Sequence, residues 1–213
     1  HNKQHYSMAL DWALKLILLI GVPSAVGLSI FAMPLIASCF GYGQFNSTDV
    51  LQTQKSLFTL GLGVPAFMMV KILASAFYAR QDIKTPVKIG AYSMLANTML
   101  CALFIMPFAH AGLTLASSIA GYINAGTLFY LLIQRNIYSP AKGWRKFLVQ
   151  LVFANTVMGV FLCWCIQDVS FWLAKPILTR LLGVVADVGM AMVIYIICLL
   201  VVGVRPSQFR GQI

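Results

Sequence analysis

The sequence predicts an all-α, polytopic membrane helix bundle of six transmembrane helices with both termini cytoplasmic. Three observations predict it. The 213 residues are 60% hydrophobic and 9% charged, with mean hydropathy +0.85, whereas a soluble domain carries about 25% charged residues. Six apolar runs each reach the roughly 20 residues that cross a bilayer core as a helix. The basic residues fall in the gaps between those runs, and unequally on alternate gaps. The formal net charge is +10 and there is no Glu. Because the cations are spread through short gaps instead of lying along one soluble face, the pattern is that of membrane anchors and excludes a nucleic-acid binder. The runs are too long, and alternate too little, for a β-barrel.

The first span is expected at about 9–32. Ahead of it, "HNKQHYSMAL" has neither an initiator Met nor a charged segment before a short apolar one. It reads as a cut through a longer protein and not as a signal peptide. An interfacial turn is expected at 34–40. The later spans are expected at about 54–78, 87–106, 112–134, 147–167 and 178–204. Pro23 and Pro65 fall inside the first two. Each removes a backbone hydrogen bond and bends its helix, either as a hinge or cavity wall or as a static kink. Gly112, Ala116 and Ala120 recur at the four-residue spacing that lets helices approach closely.

Orientation follows from the basic residues. The side with the N-terminus, the second and fourth loops and the C-terminus holds Lys3, Lys15, Arg80, Lys84, Lys88, Arg135, Lys142, Arg145, Lys146, Arg205 and Arg210. The other side holds Lys55, Lys175 and Arg180. The positive-inside rule makes the first side cytoplasmic. Trp12, Tyr78, Trp144 and Trp172 fall near the expected interfaces, as belt aromatics do.

Few polar residues are left to carry chemistry. His1, His5 and His110 lie at the start and in a short loop, and no carboxylate pair, Ser-His-Asp set, P-loop or HExxH is present. No enzyme activity, cofactor or metal site is therefore expected. The five cysteines sit in or beside apolar runs and read as buried free thiols; "CWC" lacks zinc spacing. Lys71 stands nine residues before Arg80, about 13 Å along a helix. A lysine stem reaches about 6 Å, so Lys71 either faces a wet cavity or snorkels with strain. Asp187 follows Arg180 by seven residues, close to two turns. It is either a proton or cation site, or a partner for a basic substrate, or an outer-interface aspartate paired with Arg180 through water. Lys55 and Arg180 can meet an arriving phosphate or carboxylate, or simply lipid headgroups. Asn97, Asn124 and Asn155 read as interhelical hydrogen-bonders.

The run "FYARQDIKTPVK", residues 77–88, is the most polar stretch. It reads as a cytoplasmic hairpin in which Arg80, Lys84 and Lys88 meet anionic headgroups or form a gate contact. Asp82 is expected to tether the loop to a cation or a helix N-terminus. Thr85 is expected to cap the next helix, with Pro86 at its first position.

Composition and spacing lead to a six-helix bundle, part of a transporter. Four stretches carry a resemblance further. "KILASAFYARQDIKTPVKI", residues 71–89, resembles the strongest signature of the MurJ (MviN) family of bacterial lipid II flippases, within the MATE-like exporter superfamily. "LIASCFGYGQFNSTD", residues 35–49, resembles that family's turn after an earlier helix. "LDWALKLILLIGVPSAVGL" and "HAGLTLASSIAGYINAGTLFYLL" also match in pattern. The resemblance covers nearly the whole chain and is weakest from about residue 169 onward. It implies that residues 1–213 are the last six of fourteen helices, most of a C-terminal lobe whose partner is the N-terminal lobe of the same protein. It also implies an undecaprenyl-linked peptidoglycan precursor as substrate, moved across the bacterial inner membrane by alternating access for cell-wall synthesis. The last two spans would form a groove for the polyprenyl tail, and Lys71 would face the central cavity and hold an anionic headgroup. A flippase for another polyprenyl-linked oligosaccharide, a MATE-type drug or cation antiporter, and a non-transporting scaffold are the rival readings.

Overall fold

The computed structural model describes residues 2–141 and 143–204, without the side chains of residues 2–4. Lys142, Arg205 and Arg210, which entered the orientation argument, lie outside the described residues, as do His1 and the side chain of Lys3. The helices are α1 (Asn2–Ile30), α2 (Ala32–Phe40), α3 (Ser47–Tyr78), α4 (Lys84–Phe108), α5 (His110–Gln134), α6 (Trp144–Cys165), α7 (Val169–Leu173) and α8 (Ile177–Val201). Among the described residues there is no strand. Six of the helices, all but α2 and α7, are long and apolar enough to cross a membrane.

The boundaries depart from the apolar runs where local chemistry extends a helix. The second span begins at Ser47, not near 54, because Asn46 and Asp49 form a capping box. Asn46 Oδ1 accepts from Thr48 N at 3.0 Å and Asp49 N at 3.2 Å, and Asp49 Oδ2 accepts from Asn46 N at 3.0 Å. These reciprocal bonds satisfy donors that the first turn leaves orphaned. The expected turn at 34–40 is instead the helix α2. Pro34 lies in its first turn, where a missing N–H costs no helical bond. The last loop contains the short helix α7, and a single residue, Ala109 at φ 48°, joins α4 to α5.

Neighbouring helices run in the order α4, α5, α3, α1, α6, α8, with α2 and α7 packed at one end against α3 and α8. One apolar cluster joins α1, α2, α6 and α8 through Phe31, Met158, Leu162, Trp172 and Tyr195. Another joins α1, α3 and α5 through Leu14, Leu73, Phe77, Leu128 and Leu132. At the α3–α5 crossing the backbones approach closely, and a Cβ on Gly63 would lie 2.5 Å from Ser118 Oγ. Ser118 Oγ donates to Thr59 O at 2.7 Å, and Ser29 Oγ of α1 donates to Phe58 O of α3 at 3.0 Å. Such small-residue contacts and hydroxyl bonds are what hold helices together when lipid is as apolar as the side chains.

Each end of the bundle has its own polar fastening. At the basic end, Tyr6 Oη donates to Ala76 O at 2.7 Å, tying the start of α1 to the end of α3. Gln150 Nε2 donates to Val202 O at 2.7 Å, tying the start of α6 to the end of α8. At the opposite end, Arg180 is buried and its guanidinium donates to four carbonyls. Gly41 O lies at 2.7 Å, Ala37 O at 3.2 Å, Lys175 O at 2.7 Å and Leu173 O at 2.5 Å. A cation thus meets carbonyls at the C-terminal ends of α2 and α7, where the helix dipole is negative.

Candidate functional site

The turn at 79–83 reverses the chain between α3 and α4, yet those two helices barely meet; α4 lies against α5, which lies against α3. The space left open is a cleft of about 350 Å³ among the three helices. Gly90 of α4 and Ala120 and Gly121 of α5 line it; a Cβ on Gly90 would meet nothing within 4 Å, whereas one on Gly121 would lie 2.7 Å from the Phe67 ring. Five polar side chains line it as well: Lys71 from α3, Ser93 and Asn97 from α4, and Ser117 and Asn124 from α5. All five belong to helices that span, and Lys71 stands seven residues before the end of α3, about 10 Å along its axis.

The cleft is mostly apolar, and its few polar groups are incompletely satisfied. Ser93 is 6% exposed and its hydroxyl has no hydrogen-bond partner among the described residues; the same holds for the buried Asn124 Oδ1. Asn97 Oδ1 receives a long contact from Cys101 Sγ at 3.7 Å, and Ser117 Oγ donates to Leu113 O at 3.0 Å within its own helix. Lys71 is exposed. One cation, an open acceptor and an open hydroxyl in apolar surroundings can receive a polar, negatively charged group. Among the described residues no group of three His, Cys, Asp or Glu side chains is placed to hold a metal.

The other residues singled out in the sequence lie elsewhere. Lys55 is exposed in the first half of α3, at the end away from the 79–83 turn. Arg180, at that same end, has its guanidinium engaged by the four backbone carbonyls described above. Asp187 is half-buried in α8, where Lys175 is the cation whose field reaches it. Among the described residues no ion pair joins Asp187 to Arg180.

In the polar hairpin the helix start is held differently from expectation. Thr85 does not cap α4, which begins at Lys84; its Oγ1 donates to Asp82 Oδ2 at 2.6 Å and its N donates to Asp82 Oδ1 at 3.1 Å. Asp82 therefore takes the donors of the first turn, and it also receives Arg135 Nη1 at 2.7 Å. Those Thr85 bonds, with the Arg135 guanidinium, hold the Asp82 carboxyl below the usual carboxylate range. Arg80 borders a smaller pocket of about 270 Å³ with Phe77, Asp82, Arg135 and Ile137, while Lys84 and Lys88 are exposed.

Asp11 was not legible as a key residue. It is 5% exposed. Its Oδ1 accepts from Trp144 Nε1 at 2.6 Å, Tyr138 Oη at 2.7 Å and Ala141 N at 3.2 Å, and its Oδ2 meets Lys15 Nζ at 2.6 Å. Lys15 also lies 5.4 Å from the Trp144 ring centroid. Burial and the facing Asp11 carboxylate push the Tyr138 phenol upward. This cluster pins the segment that joins α5 to α6 onto α1. The one signal available was an acid inside an apolar run, four residues before a lysine.

The family model described as lipid II flippase MurJ matches residues 1–204. The chain is 37% identical over 213 residues to the lipid II flippase MurJ of Burkholderia cenocepacia, covering 99% of this chain and 41% of that protein. It is 32% identical over 206 residues to the probable lipid II flippase MurJ of Vibrio cholerae, covering 97% and 39%. A solved structure described as lipid II flippase MurJ, inward closed conformation, aligns with TM-score 0.70 at 27% identity, over 91% of this chain and 38% of that one. The chain thus spans about two fifths of the length of the curated relatives it matches.

Proposed function

Because the chain belongs to the lipid II flippase MurJ family, we propose that it forms part of a flippase for a lipid-linked peptidoglycan precursor in the bacterial inner membrane. Both termini face the cytoplasm, and a second lobe of the same protein completes the path. The two lobes rock about a substrate held near the midplane, so that the headgroup passes from the cytoplasmic to the outer leaflet. The apolar, lipid-exposed faces of α6 and α8, with Val152, Phe153, Leu182 and Val185 among their exposed residues, suit the polyprenyl tail. Arg80, Asp82, Lys84 and Lys88 form a contact zone for headgroups or gating at the cytoplasmic end. Lys71 faces the central cavity and helps hold the anionic headgroup.

The observation that carries this reading is the position of Lys71. An ammonium in a mostly apolar cleft between spanning helices is costly unless something polar is meant to meet it. Complementation tests it: full-length protein bearing Lys71→Glu should fail to sustain cell-wall synthesis in cells depleted of the wild-type flippase, at normal membrane abundance. Normal growth with that variant would overturn the role of Lys71.

A further inference from the structure

We propose that the cleft among α3, α4 and α5 binds the peptide portion of the precursor, a carboxylate flanked by amide N–H groups, and not its diphosphate. The proposal rests on the reading that the chain is part of a lipid-linked precursor flippase, and it assigns one part of that substrate to one site.

The argument is from charge and from donors. Lys71 is the one cation among the residues lining the cleft; the other polar groups, Ser93, Asn97, Ser117 and Asn124, are neutral. A diphosphate carries more than one negative charge, and in low-dielectric surroundings it needs several cations or a metal beside it. A single ammonium matches a single carboxylate. The open acceptor decides further. Asn124 Oδ1 is buried and unpartnered, and a buried acceptor left unpaired is costly. A fully ionised diphosphate diester presents only acceptors and leaves that oxygen unpaired. A peptide group presents an N–H for Asn124 Oδ1 and a carbonyl for the Ser93 hydroxyl, while its carboxylate meets Lys71. The cleft is also roomy enough at about 350 Å³ for a short peptide segment and lies within the usual size range of small-ligand sites.

The test uses the full-length flippase in detergent or nanodiscs and two lipid probes. One is the undecaprenyl-diphosphate disaccharide with its peptide; the other, the trimmed lipid, carries two N-acetylglucosamine sugars on the same undecaprenyl diphosphate and so lacks both the peptide and the lactyl carboxylate that amidase cleavage would leave behind. Wild-type protein should bind the peptide-bearing lipid more tightly, by on the order of tenfold, because a site built for hydrogen bonds and charge rejects a ligand lacking them. Lys71→Gln and Asn124→Leu should each shrink that preference, lowering affinity for the peptide-bearing lipid by more than affinity for the trimmed one. Lys71→Arg, which keeps the charge, should retain most of it. Thermal unfolding of each variant checks that the fold is intact, and Ser93→Ala serves as a milder substitute where Asn124→Leu does not fold. If Lys71→Gln weakens binding of both lipids equally, Lys71 meets the diphosphate; the peptide assignment is then overturned and the role of Lys71 in holding the headgroup survives. If no variant changes binding of either lipid, both fall. A wild-type protein with no preference between the two lipids overturns the peptide assignment by itself.

Discussion

Asp82 shows how much one half-buried carboxylate can organise. It gathers the Thr85 amide and hydroxyl at the start of α4 and the Arg135 guanidinium beyond the end of α5. Its folded-state pKa lies below the unfolded value, about 3.9, so its ionised form contributes stability above that value. The contribution is lost as pH falls through the folded-state value. Asp82→Asn should therefore lower Tm relative to wild type at neutral pH, and the gap should close as the pH is brought from about 5 down to about 2. A gap that stays constant across that range, measured by thermal scans of purified protein, would mean that the charge of Asp82 does no work. Sequence reasoning named Asp82 as a tether to a cation or helix start because Asp is a strong acceptor beside unpaired N–H groups. It missed Asp11, whose partners Tyr138, Ala141 and Trp144 lie more than a hundred residues away. A residue whose role depends on long-range partners leaves only a faint local trace.

Between elements, side-chain size decides where helices cross. A Cβ at Gly63 would meet Ser118 Oγ at 2.5 Å and Phe67 Cε2 at 2.9 Å, whereas one at Gly27 would meet nothing within 4 Å. Gly63→Val should push α3 from α5, displace the bond from Ser118 to Thr59, and cost about 1–3 kcal/mol. Gly27→Ala should be neutral or gain up to about 1 kcal/mol from helix propensity. Equal unfolding temperatures for the two variants would contradict the crossing. The small-residue spacing of Gly112, Ala116 and Ala120 was visible in the sequence, and all three are buried on α5. Which helix fills the opposite side was not visible, since an apolar face in a bilayer is equally content with lipid or a neighbour. The same ambiguity hid α2: apolar residues followed by Gly read as a turn, and only its packing against Arg180 and α3 shows a helix ended by Gly41. There a Cβ would lie 2.6 Å from Leu173 and 2.9 Å from Arg180 Nη1.

At the scale of the molecule, the polar hairpin at 79–83 and the connector at 135–141 lie at one end, and the loop at 41–46 lies at the other. With the native cysteines replaced, Gln81→Cys and Ser139→Cys in full-length protein should resist a membrane-impermeant maleimide applied to intact cells, and Gly43→Cys should react. The reverse pattern would invert the orientation. The six spans were determined by the sequence alone, because a run of about 20 apolar residues leaves a backbone no option in a bilayer but to satisfy its own hydrogen bonds as a helix. The resemblance to the MurJ family was likewise carried by residues adjacent in the chain. The cleft was not: Lys71 stood out in the sequence as a candidate to face a cavity, but Ser93, Asn97, Ser117 and Asn124, from two further helices, are each alone ordinary polar residues in an apolar run. Tertiary structure brought them together because α3 and α4 both lean on α5 and not on each other. Convergence of that kind depends on helix rotation and crossing, which side-chain packing sets and apolar periodicity does not record.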